Sequence, residues 1–177
     1  MSLTFLDESL AVLENTPAAL LALLHNLPEA WTNATEGPGT WSPYAVVGHL
    51  AHGERTDWMT RLIRILEEGE SRPFDPFDRE AQFRPENAKS LDDLLEEFST
   101  LRKHNLSRIR ALNLEAADLN RTGIHPTLGP VTARQLIATW TAHDMAHLVQ
   151  VSRVMAKRYQ ADVGPFAEFL SVMRVGR

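Results

Sequence analysis

This chain of 177 residues contains no cysteine, so neither a disulfide framework nor a thiolate nucleophile or thiolate metal site can be built from it. Any metal it holds must be bound by imidazole and carboxylate. Dense Lys/Arg blocks are also absent, and 18 basic against 23 acidic side chains leave a formal charge of −5. That balance argues against nucleic acid as the main partner, because phosphate neutralisation needs a basic surface. No apolar run approaches the ~20 residues that span a bilayer. The opening MSLTFLDESL has acidic residues where a signal peptide needs a basic n-region. The expectation is a cytoplasmic protein with neither a membrane nor a nucleic-acid partner.

What is present is apolar content of 44%, ample for one sizeable core, so a single domain over residues 1–177 is expected, with no internal repeat and no low-complexity segment. From Leu3 to Leu27 the residues Leu3, Leu6, Leu10, Leu13, Leu20 and Leu24 fall at helical spacing. Pro17 interrupts that pattern, and Thr16-Pro17 reads as an N-cap and first helical position, which predicts a kink or split there. LPEAWTNATEGPGT then reads as a loop. Ser42-Pro43 opens a second helix to about Glu68, with Val47, Ala51, Trp58, Leu62 and Ile65 on one side and Asp57, Arg61, Arg64 and Glu68 opposite.

The stretch from Gly69 to Lys89 is too proline-rich for regular structure and reads as a long crossover. Ser90 and Asp93 form a near capping box for a third helix, with Leu91, Leu94, Leu95, Phe98, Leu101, Ile109 and Leu112 as its apolar stripe. Leu114 to Val131 is a second connection. Thr132 and Gln135 open a fourth helix to about Arg158, and a short last helix from Pro165 is expected to bury Phe166, Phe169, Leu170 and Met173. With no convincing strand alternation, these patterns predict an all-α fold, a four-helix bundle with long crossover connections and a short C-terminal helix.

The chemistry lies in TWTAHDMAHLVQV, where His143 and His147 stack one turn apart on the stripe that also carries Leu136, Trp140, Val151 and Val154. A lone inward histidine is ordinarily a hydrogen-bonded core residue, but two in one small volume have four ring nitrogens to satisfy. A divalent cation would satisfy two of them at once. A third nitrogen is available from VVGHLAHGE on the second helix, where the helical wheel places His52 inside the apolar arc and His49 at its border, among small neighbours. The residues alone leave that choice open. Three imidazoles with open positions suit catalytic zinc, and equally nickel, iron or manganese.

Around these histidines, Asp144 lies ~100° round the helix from His143 and reads as an inter-helix hydrogen bond or salt bridge, with orientation of an imidazole as the alternative. His125 reads as a turn residue that could also contact substrate. Trp41, Trp58 and Trp140 read as core or pocket wall. Gln150 and Arg153 read as solvated positions, and nothing in its position marks Glu54 as an acid or base.

TWSPYAVVGHLAHGE, followed much later by HPTLGPVTARQLIATWTAHDMAHLVQV, resembles the DinB-like, YfiT-type four-helix superfamily over nearly the whole chain. The diagnostic parts are WSP before the second helix, the His49-Leu50 pair, HPxxGxxT from His125 to Thr132, and HDxxHxxQ from His143 to Gln150. The resemblance implies a metal held by His49, His143 and His147, with His52 beside the site. Characterised relatives include transferases that move a low-molecular-weight thiol such as bacillithiol, and a mycothiol-dependent maleylpyruvate isomerase. It therefore implies a metal-dependent transferase adding such a thiol to small electrophiles, with a homodimer as the expected assembly. A metal-dependent hydrolase on the same ligands, or a non-enzymatic metal-binding, stress-associated bundle, are the alternatives. The three histidines do not by themselves mark an acid or base, and the catalytic residue is unknown from the sequence.

Overall fold

The computed structural model describes residues 4–173, a bundle built on four long helical segments. Helix α1 runs Phe5–Leu24 behind a Thr4–Asp7 capping box. A short turn of helix, α2, Glu29–Thr32, precedes α3, Pro43–Thr56, which Ser42 caps through the Ala45 N–H. Helix α4, Trp58–Glu67, continues from α3; α5 covers Leu91–Ala111, capped by Ser90; and α6 is the single turn Ala116–Leu119. Strands β1, Thr122–His125, and β2, Gly129–Thr132, then form an antiparallel hairpin, and α7, Ala133–Lys157, starts on the Thr132–Gln135 capping box. Helices α1 and α3 each pack against both α5 and α7, so each of those two pairs lies across the bundle.

Several expectations are corrected. The second helix is not continuous to Glu68, because it bends at Asp57, whose ψ of −74° separates α3 from α4. Asp57 and Arg64 are not on a solvent face: both are buried, since the Gly69–Lys89 crossover covers that side. Arg64 donates to the Pro73 carbonyl at 2.8 Å and to Asp75 at 2.7 Å, and the Phe74 N–H donates to the Ile124 carbonyl at 2.8 Å, tying the crossover to the hairpin. The hairpin itself stands where only a connection was expected. Its Gly123 is required by packing, as a Cβ there would sit 2.8 Å from Ile65 and 2.9 Å from Phe74. The last segment forms 3-10 turns over Gly164–Phe169 and Ser171–Met173 rather than a buried helix, and Phe166 and Phe169 stand 69% and 84% exposed. On α5, Leu112 is exposed and Leu101 half-buried, while Arg102 and Asn105 occupy buried positions of the stripe.

Pro17 lies inside α1 and does not end it. Proline has no N–H, so the carbonyl four residues earlier, at Leu13, lacks its helical donor. Arg102 supplies one: its Nη1 donates to the Leu13 carbonyl at 2.7 Å.

Two apolar clusters fill the bundle. One gathers Leu10, Leu13, Trp58, Leu62, Leu106, Ile137 and Trp140; the other gathers Leu20, Leu24, Val47, Leu50, Leu95, Phe98 and Val151. Each such side chain, fully buried, stabilises the fold by roughly 1.5–3 kcal/mol. Between the two, at one level of every long helix, runs a polar layer of Thr16, Glu54, Arg102, Asn105, Asp144 and His147.

Candidate metal centre

One side of that layer is an ionic cluster in which, among the described residues, only Arg102 Nε is left without a partner. Arg102, 1% exposed, donates to both oxygens of Asp144, at 2.6 and 3.1 Å, and to Glu54 at 2.9 Å. Glu54 also accepts from Trp140 Nε1 at 2.9 Å and from Asn105 Nδ2 at 2.9 Å. Burial works against the Arg102 charge, but Glu54 and Asp144 overcome it and hold its pKa above the ordinary value. The same burial pushes the Glu54 carboxyl up, against the donors around it. Asp144 is therefore the inter-helix salt bridge that its position suggested, and no imidazole is bonded to it among the described residues. Glu54 is sealed inside the scaffold. Arg102 and Asn105 escaped the sequence reading, although polar residues at the steps of Leu95, Phe98, Leu106 and Ile109 were the signal that could have found them.

The other side is open. His49 from α3 and His143 and His147 from α7 turn their Nε2 atoms to a common point, with His143 Nε2 3.1 Å from each of the other two. His49, 4% exposed, is the histidine of α3 that joins this cluster. His52 stays outside the group, with Nε2 3.4 Å from the Thr56 hydroxyl and its ring against Phe77. The wheel fails here because α3 is covered almost all round. Helix α5 lies on one face and the crossover on another, where Gln82 comes within 3.1 Å of a Cβ built on Gly48.

The rings are held from outside. Trp41 packs on His49 at 4.8 Å and lies parallel to His147 at 6.2 Å; Trp58 meets His143 edge-on at 5.2 Å and stacks on Trp140 at 5.7 Å. The tryptophans are thus core and wall, as expected. Gln150 is not merely solvated: its Oε1 accepts from His147 Nδ1 at 2.8 Å, an arrangement that leaves the His147 Nε2 lone pair facing the other rings. Arg153 binds Glu36 in a fork, both contacts at 2.6 Å, and so anchors the loop before α3 to α7.

This donor set fits a divalent ion. Burial, reinforced by the neighbouring imidazoles, pushes His49 and His143 down to about 3, and burial also lowers His147, so the three rings are neutral. Zinc–nitrogen bonds of about 2.0–2.1 Å at tetrahedral angles place nitrogens roughly 3.3 Å apart, close to the two 3.1 Å spacings to His143, while all three ligand atoms lie within 4.8 Å of one another. His49 Nδ1 and His143 Nδ1 are buried without a partner among the described residues, so whichever nitrogen carries the proton, those residues do not satisfy the cluster.

Beside the histidines opens a cleft of about 570 Å³, walled by His49, Asp57, Trp58, Phe77, Arg79 and His143, with Arg61 and His125 farther along. Asp57 pairs with Arg61 at 2.6 Å, and burial raises its carboxyl to about 6 against that pairing. His125 keeps its turn role, since Nδ1 accepts from the Thr127 and Leu128 N–H groups at 3.2 Å, and it also reaches the cleft. A somewhat larger groove of about 620 Å³ runs between α1 and α5, away from the histidine cluster.

A helical bundle with a three-histidine cluster at the head of an open cleft is the class of protein defined by these features. The DinB superfamily profile matches residues 13–151, and the chain belongs to that superfamily. Its fold is similar to that of YfiT from Bacillus subtilis, described as "a probable metal-dependent hydrolase with an unusual four-helix bundle topology", at a TM-score of 0.75 and 21% identity over 88% of this chain and 87% of that one. TT2238, described as a four-helix bundle protein, aligns at a TM-score of 0.51 and 24% identity over 85% of this chain and 98% of the other. No protein with a curated description matches the chain in sequence. Among the described residues no helix is long and apolar enough to cross a membrane.

Proposed function

We propose that His49, His143 and His147 hold a divalent cation and that the protein is a metal-dependent transferase joining a low-molecular-weight thiol to a small electrophile. The observation that carries this reading is the convergence of three neutral imidazoles, through Nε2, with two of them, His49 and His143, on the wall of an open cleft. A divalent ion held by imidazoles with positions left free lowers the pKa of a thiol or water bound to it. The chain contains no cysteine, so the sulfur nucleophile is a second substrate. The cleft lies within the range of small-ligand pockets, with Trp58 and Phe77 as apolar walls that displace water from the reacting groups. In the transfer, the thiol proton passes to solvent, sulfur forms the new bond to the electrophilic carbon, and the displaced group leaves with the electron pair of its former bond.

The test is elemental analysis of purified protein followed by assay with cellular thiols and model electrophiles such as a chloronitrobenzene. Metal bound at one ion per chain, and thiol-dependent turnover that His49→Ala abolishes, are the expected results. Equal rates in the wild type and His49→Ala overturn the reading. A hydrolase is the second reading, favoured by the description of the YfiT fold relative, and it is recognised by ester or amide turnover without added thiol.

A further inference from the structure

One strongly basic side chain at this site has nothing to bind. Arg79 lines the cleft together with His49 and His143, and all three clustered histidines feel its positive charge. Among the described residues it makes no hydrogen bond and no ion pair. Its neighbours are committed elsewhere: Asp78 is taken by Arg84 and by the Glu80 N–H, and Asp57, the one carboxylate on the cleft wall, is held by Arg61. The segment that carries Arg79 is itself fixed, because Phe77 packs edge-on against His49 at 5.4 Å and Ala81 is 2% exposed.

A second donor faces the same space. With Nδ1 of His125 accepting two backbone N–H bonds, the ring proton sits on Nε2, which has no partner among the described residues. The cleft therefore carries two guanidinium groups against one carboxylate in a chain whose overall charge is −5. In a partly desolvated cleft that imbalance attracts anions. A guanidinium matches the two oxygens of a carboxylate in a fork, and an imidazole N–H can add a further bond.

Resting on the metal-site reading above, we propose that the electrophilic substrate carries a carboxylate, which Arg79 and His125 Nε2–H bind while the rest of the molecule lies against Trp58 and Phe77. The carboxylate subsite is thus distinct from the imidazole cluster and sets which acceptor is taken.

The test titrates full-length protein, metal-loaded and metal-free, with 4-nitrobenzoate and with its uncharged methyl ester by calorimetry. The acid is expected to bind about tenfold tighter than the ester in both forms of the wild type, Arg79→Gln to remove that preference, and Arg79→Lys to keep part of it. Arg79 is exposed, so these variants are expected to fold as the wild type does, with unchanged melting curves as the check. The inference is overturned if Arg79→Gln keeps the acid-over-ester ratio, if the preference exists only in metal-loaded protein, or if neither compound binds. Protein that takes up no metal yet keeps an Arg79-dependent preference overturns the metal reading and leaves this one standing.

Discussion

Two polar groups are buried at one level of this bundle, and they are finished in opposite ways. Around Arg102 a charge that burial would expel meets Asp144, Glu54 and the Leu13 carbonyl, Glu54 is itself bonded to Trp140 and Asn105, and only Arg102 Nε lacks a partner among the described residues. Around His143 three imidazole nitrogens meet one another, and two further ring nitrogens meet nothing. Leaving a buried polar atom unpaired costs about 1–3 kcal/mol, so the second group is a liability that only a bound species removes. Both draw on α3 and α7 within one turn. The degree of satisfaction, rather than burial, separates scaffold from chemistry here.

The sharpest way to break that contrast is His143→Ala. Its Nε2 is the one shared by both partners, and metal affinity measured by competition with a chelator is expected to fall by more than about 100-fold, the upper range for losing an outer partner of a metal ligand. Stability of the metal-free protein is expected to hold. Arg102→Met should do the reverse, destabilising by about 3–5 kcal/mol in urea unfolding because Glu54 and Asp144 lose their shared cation. The folded fraction should still take up metal. If Arg102→Met is as stable as wild type, the ionic cluster is not the scaffold element described here.

Acid separates the two groups more gently. His49 and His143 are held at about 3 in the folded chain against 6.5 when unfolded, so below pH 6.5 the unfolded chain binds more protons than the folded one. Stability is therefore full above that pH and is lost as pH falls toward 3. Denaturation of metal-free protein across this window should show the decline, and His49→Gln combined with His143→Gln should flatten it. The smallest effect is expected at Pro17→Ala. Removing an interior helical proline usually gains about 3 kcal/mol, but here Arg102 already serves the Leu13 carbonyl, and a gain below about 1 kcal/mol is expected in thermal unfolding.

Much of this was legible in the residues. Ser42, Ser90 and Thr132 mark helix starts because their side chains have a single local task, and the structure shows each doing it. His143 and His147 were legible because one helix sets their spacing. His49 was not, because which side of α3 faces the cluster depends on helices and a crossover far away in the chain, and only the family motif favoured it. The Arg102 cluster stayed hidden for the same reason: its acceptors come from α1, α3 and α7, and one of them is a backbone carbonyl freed by a proline. The hairpin was missed because four-residue strands containing glycine and proline give no alternation to read. The terminal aromatics were misjudged because hydrophobicity does not by itself supply a partner surface.

The histidine cluster draws on positions 94 residues apart, so an ion seated on it would act as a removable cross-link. Closing a loop of about 100 residues with a permanent bond takes roughly 4.7 kcal/mol of entropy from the unfolded chain. A metal clasp between α3 and α7 would draw on that same entropy, and chelation would return it, making the grip of the two helices on each other responsive to the ions available around the protein.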